Sequence, residues 1–198
     1  MRHLKKQPVA ILLALILVAG SVFLGVNRSV SEQVAVLKEQ FYNGVFDPAV
    51  GYVRPGIHGQ LTQRTTATLR MLTIGAGYHH ADEAELRDAH QALEQARSVL
   101  LNLLTAGAGP SALFVADQAM TMAVERYYAL LHPLILADEG EDLQALESAN
   151  DTVLNAARVI QQSGYNEAVG AFHRTVLGQF PMTVLREIVF VQMPELFA

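Results

Sequence analysis

Residues 8–26, PVAILLALILVAGSVFLGV, contain no charged side chain. An α-helix rises about 1.5 Å per residue, so this run comes close to spanning the ~30 Å hydrocarbon core of a bilayer. It withdraws a share of the apolar residues from any soluble core and ties whatever follows to a membrane. Arg2, Lys5 and Lys6 precede the run and Arg28 follows it. The positive-inside rule then expects residues 1–7 in the cytoplasm, an anchor over 8–27 and a domain over 28–198 on the other side. The competing reading is a cleaved signal peptide. Val18-Ala19-Gly20 is a weak small-residue site, the run is longer than a usual signal core, and six small or apolar residues follow the cut. The uncleaved anchor accounts for the whole run. It expects a single-pass protein of the cell inner (plasma) membrane, with a periplasmic or otherwise extracytoplasmic C-terminal domain.

Four of the 14 Lys and Arg lie in the first 28 residues, where no Asp or Glu occurs. Ten cations and 19 anions remain beyond them. An acidic body without a basic patch argues against nucleic acid, whose affinity depends on cations neutralising phosphates. The chain has no cysteine, which excludes disulfides, thiolate metal sites, cysteine nucleophiles and a lipidated N-terminal Cys.

Beyond the anchor the apolar residues recur at helical spacing. Residues 29–46 continue out of the membrane with Val30, Val34, Leu37 and Phe41 on one stripe. Five Pro and Gly residues make 47–59 a loop or a broken helix. A helix over 60–78 follows, weakened by Gly75 and Gly77, then a turn with Asp82 as cap and Glu85 completing a capping box. The clearest helix is 82–105, with Leu86, Ala89, Leu93, Ala96, Leu100 and Leu103 at 3-4 spacing. Gly107-Ala108-Gly109-Pro110 stops it. Ser111 caps a helix to about Leu131, with Leu113, Met120, Val124, Tyr127 and Leu131 inward, and Pro133 is expected to end it. A loop over 134–141 leads to one long helix, 142–180, on the stripe Leu143, Leu146, Asn150, Val153, Ala157 and Ile160. Its phase shifts after Gly164 to Tyr165, Val169, Phe172 and Val176, Pro181 ends it, and 182–192 forms a short apolar helix. No strand-like alternation occurs. Short connections between long helices make an all-α fold, a transmembrane helix followed by an antiparallel up-down bundle.

Several short blocks together resemble the LemA family of bacterial membrane-anchored helical proteins. Tyr42-Asn43 resembles the family's opening Tyr-Asn, and Gln60-Leu61-Thr62-Gln63-Arg64 its Gln-Leu-x-x-Arg. Gly77-Tyr78-His79-His80 and Ala96-Arg97-Ser98 resemble its Gly-Tyr-Ala-x-His and Ala-Arg-Ser. His132-Pro133-Leu134, Leu143-Gln144, Tyr165-Asn166-Glu167-Ala168-Val169, Phe180-Pro181 and Pro194-x-x-Phe197 follow in the family's order. Two departures mark a divergent member: Thr68-Leu69-Arg70 stands where the family has Ile-Pro-Asn, and Arg54-Pro55-Gly56 where it has an acidic-aromatic stretch. The resemblance implies an N-terminally anchored, antiparallel α-helical protein, of a family with no established activity, catalytic residues or cofactor.

The candidate sites weigh toward structure. His79-His80 with Asp82 and Glu83 lack the i, i+4 spacing that puts two ligands on one helix face, so they read as a polar turn. His58, His90, His132 and His173 are scattered. Glu125-Arg126-Tyr127-Tyr128 reads as a contact between helices, and Asp138, Glu139, Glu141 and Asp142 as a solvated turn. There is no nucleophile elbow or phosphate loop. Asn150 and Tyr165-Asn166 read as register-fixing polar residues. The apolar stretch 184–193 folds back on the bundle or forms a surface for a partner or the membrane. No catalytic, cofactor-binding or metal-ligating residue is assigned and no cofactor is expected. The expected function is a non-enzymatic scaffold in the cell envelope, with an unknown envelope protein as partner through residues 182–198. The alternative is a ligand-sensing or ligand-binding helical bundle that relays through a partner membrane protein.

Overall fold

The computed structural model describes residues 7–49, 51–78, 84–138, 142–179, 182 and 189–198. They form two compact units, Met1–Lys38 with Val169–Pro194, and Glu39–Ala168 with Glu195–Ala198.

The first unit is built on α1 (Gln7–Asn43), a single unbroken helix. Its stretch from Ile11 onward is long and apolar enough to cross a membrane. Ile11, Leu15, Leu17 and Leu24 all stand exposed there. On its later turns Val30, Leu37 and Phe41 are buried, as their spacing predicts. The expected long helix over 142–180 is broken. Its first part ends at Gln161, Gly164 turns left-handed at φ +71°, and α6 (Tyr165–Phe172) starts afresh. The phase shift seen in the sequence is this break. A π-helical turn, His173–Leu177, follows and closes with the Gly178 N–H donating to the His173 carbonyl at 2.9 Å. The apolar helix expected over 182–192 is not present at 189–192, where the chain is irregular. Residues 183–188 and the Phe180-Pro181 stop lie outside the described residues.

The second unit takes in the last turn of α1, from Glu39 onward. A β-hairpin replaces the end of the helix expected over 29–46 and part of the loop expected over 47–59: α1 stops at Asn43, and β1 (Val45–Asp47) pairs antiparallel with β2 (Tyr52–Arg54), in the register Phe46 opposite Val53. An Asp47–Arg54 ion pair closes it. Four helices follow: α2 (Ile57–Gly75), α3 (Ala84–Thr105), α4 (Pro110–Asp138) and α5 (Asp142–Gln161). A short 3₁₀ turn, Ala76–Tyr78, trails α2.

Cross-links set their directions. Arg97, late in α3, donates to the Thr65 carbonyl in the first half of α2. Tyr127, late in α4, meets His90, early in α3, and His132 near the end of α4 meets Glu147 near the start of α5. Sequential helices are therefore antiparallel, in an up-down-up-down bundle with α2 and α4 parallel across its diagonal.

The core follows most of the predicted stripe positions, although Val34, Ala96, Leu143 and Val176 are only half-buried. In α5, Ala149 and Ala156 are buried while Asn150 and Ala157 are only half-buried; in α3, Leu104 rather than Leu103 is buried. Pro133 does not end α4, which runs to Asp138. A proline in a helix interior removes one backbone bond and typically costs ~3 kcal/mol. Here Pro133 and Ala129, whose carbonyl loses its partner, both face solvent, so water can satisfy that oxygen. Leu131 and Ile135 on the opposite face are fully buried and hold the extra turn.

At Gly75 the helices approach closely. A Cβ there would lie 1.7 Å from the Tyr127 Oη and 2.9 Å from a Leu131 methyl. Gly75→Ala is expected to destabilise by about 1–3 kcal/mol through overpacking, although alanine is the better helix former. Gly59→Ala, with nothing within 4 Å of its Cβ, should instead stabilise by up to about 1 kcal/mol. Urea unfolding of the two variants checks the contrast.

Candidate functional site

The inner stripe of α2 is Ile57, Leu61, Arg64, Thr68, Met71 and Gly75, and all six are buried. Their 4-3-4-3-4 spacing is that of a bundle seam, with an arginine in its middle. On α4 the seam Leu113, Asp117, Met120, Val124, Tyr127 carries an aspartate at the matching level. Arg64 Nη1 donates to Asp117 Oδ2, and Arg64 Nη2 donates to Thr121 Oγ1 at 2.7 Å. The side chains are 3% and 6% exposed, so the charges meet in the interior. Arg64 Nε and Asp117 Oδ1 have no hydrogen-bond partner. Burial pushes the Asp117 carboxyl above the ordinary carboxylate value while the guanidinium beside it pulls the other way.

The pair lies behind a cleft of about 440 Å³ at the end of the bundle where α2 and α4 begin and α5 ends. Ile57, Phe114, Gln118, Ile160 and Gln161 contribute to its walls, and Phe197 of the C-terminal tail contributes too. This polar seam was not singled out as a site by the sequence reading. The signal was present: one cation and one anion, each at a position of a 3-4 stripe otherwise occupied by apolar or small residues.

The tail is fixed at this end by Tyr165-Asn166, the pair read as register-fixing. The Tyr165 hydroxyl donates to the Glu195 carbonyl at 2.9 Å. Asn166 uses both ends of its amide on one residue: Nδ2 donates to the Phe197 carbonyl at 2.9 Å and Oδ1 accepts from the Phe197 N–H at 2.8 Å. The Phe197 ring is buried, 5.3 Å from Phe114 and 6.3 Å from Phe41, and Phe41 also packs 5.2 Å from Tyr165. Aromatic pairs at these separations add to the area they bury.

His79, His80, Asp82, Glu83, Glu139 and Glu141, and the side chain of Asp138, lie outside the described residues. Asp142 accepts from the Tyr78 hydroxyl at 3.1 Å. In the polar-aromatic cluster, Arg126 faces Glu85 at 3.5 Å on the surface, and Tyr127 is fully buried with its Oη 3.0 Å from His90 Nδ1. Arg126 and Tyr127 of that group therefore join α4 to α3. The His58 ring lies tilted 4.9 Å from that of Tyr42, and the His132 ring tilted 5.2 Å from that of Tyr128. His173 Nε2 lies 3.1 Å from the Pro194 carbonyl. Among the described residues no three His, Asp or Glu are grouped to hold a metal ion.

No protein-family model, curated protein or solved structure matches the chain.

Asn166→Ala leaves the Phe197 backbone groups without partners and should lower stability by about 1–3 kcal/mol. Asn166→Asp keeps the acceptor but turns a carboxylate on the Phe197 carbonyl, so thermal unfolding should show only partial recovery. Burial also pushes the hydroxyls of Tyr127 and Tyr165 up to about 12. Their folded values lie above the unfolded value of about 10, so the stability they contribute is complete below pH 10 and is lost as pH rises through about 12. Tyr127→Phe should flatten that alkaline decline in a pH series of unfolding curves.

Proposed function

We propose that the chain is a membrane-anchored helical scaffold of the LemA type, non-enzymatic, that serves as an interaction module for another protein of the cell envelope. The observation that carries this reading is the continuity of α1. The uncharged run and the helix that leads into the body are one unbroken element, which favours an anchor kept in the mature protein over a cleaved signal. The charge asymmetry supports a cytoplasmic N-terminus and an acidic body outside the inner membrane.

The residues that carry the family resemblance support the same reading, because they are joints. Gln60, Leu61 and Arg64 are buried in α2, Arg97 ties α3 to α2, and Tyr165-Asn166 hold Pro194-x-x-Phe197 at its far end. Residues spent on holding helices together suit a scaffold. In-cell crosslinking followed by capture from detergent-solubilised membranes should recover an envelope protein; capture of this chain alone would count against the proposal. Topology has its own test, since the chain has no cysteine. Ala145→Cys, on the exposed face of α5, should react with an impermeant maleimide added to intact cells. Labelling only after lysis would reverse the orientation.

The cleft before Arg64 and Asp117 favours a second reading, a ligand-binding bundle that relays through a partner membrane protein, since bundles hold small molecules between their helices. A compound that raises the unfolding temperature of the full chain, and loses that effect in Gln161→Leu, would support it.

A further inference from the structure

Residues 189–194, Val-Phe-Val-Gln-Met-Pro, carry no charge, and within the first unit they are brought against α1 at one level. The Phe190 N–H donates to Asn27 Oδ1 at 3.0 Å, and its ring meets Phe23 edge-on at 6.1 Å. Asn27 in turn donates from Nδ2 to the Phe23 carbonyl at 3.1 Å. Its amide therefore satisfies the return segment with one end and grips α1 with the other. At the segment's far end His173 Nε2 approaches the Pro194 carbonyl.

This level is the boundary between the uncharged run and the first charges beyond it. Val26 ends the run, and Arg28 pairs with Glu32 at 2.9 Å one turn on. Yet the Phe190 ring is 86% exposed, more than any other large apolar side chain among the described residues. Segments that lie in the bilayer interface bury phenylalanine, with tryptophan and leucine, at the boundary between headgroups and acyl chains, and a backbone N–H held there needs a partner from the protein as water thins out. Asn27 is that partner.

We propose that residues 189–193, clamped to α1 by Asn27, set the Phe190 ring into the body-side interface of the bilayer, so that the chain touches lipid through a second segment besides its anchor. The inference rests on the reading of 8–26 as a membrane span, and the experiment separates the two. The chain has no tryptophan, so single-tryptophan variants report cleanly. Leu17→Trp, Phe190→Trp and Val115→Trp are reconstituted as full-length protein in phosphatidylcholine vesicles brominated either near the headgroup or near the chain ends.

Leu17→Trp should be quenched by bromine near the chain ends. Phe190→Trp should be quenched by bromine near the headgroup and less by bromine near the chain ends, and Val115→Trp, on the bundle surface, by neither. Quenching of Leu17→Trp with Phe190→Trp as bright as Val115→Trp overturns the inference and leaves the anchor standing. That result would also be the one expected if a protein covers Phe190. Quenching of Phe190→Trp chiefly by bromine near the chain ends overturns the interfacial depth. A Leu17→Trp that neither lipid quenches removes the anchor and the inference together.

Discussion

A guanidinium and a carboxylate face each other inside the bundle at Arg64 and Asp117, and the packing around them depends on their remaining paired. Taking two charges out of water costs several kcal/mol each, and their attraction offsets this only when the geometry is good. Thr121 supplies a further acceptor, and two polar atoms are left unsatisfied. The pair is therefore a poor source of net stability and a strong source of registry. It joins α2 to α4 across the bundle diagonal, so any slide of either helix by a turn would leave a buried charge alone. The level at which the two helices start, and with it the cleft at that end, follows from this one contact.

The same end of the bundle receives the C-terminal tail. Asn166 treats the Phe197 backbone as a strand neighbour would, with one donor and one acceptor on a single residue. The ring then fills a gap between Phe114 and Phe41. Sequence blocks far apart in the chain thus meet at one place: the start of α2, the end of α1, the Tyr-Asn pair and the Pro-x-x-Phe tail.

Much of this was legible in the residues. The strict 3-4 stripe of α3 and the glycine-rich stop after it place that helix, and the missing charges over 8–26 mark the apolar helix. The failures have identifiable causes. Pro133 was read as a stop because proline usually is one, but it sits on the solvent face while Leu131 and Ile135 continue the seam. The hairpin at 45–54 has strands of three residues, too short to show alternation. The phase shift after Gly164 was read within one helix, where a left-handed glycine breaks it in two. Arg64 and Asp117 were passed over because charged residues are expected outside, and only their positions within otherwise apolar stripes point inward.

The central claim is that the buried pair sets the registry of α2 and α4, and a double-mutant cycle tests it most directly. Arg64→Met and Asp117→Leu each leave one uncompensated buried charge, so each alone should cost about 3–5 kcal/mol in urea unfolding of the full chain. The double variant removes both charges and should return to within about 1–2 kcal/mol of the parent, a large coupling between the two positions. Single costs that simply add in the double variant would contradict the account.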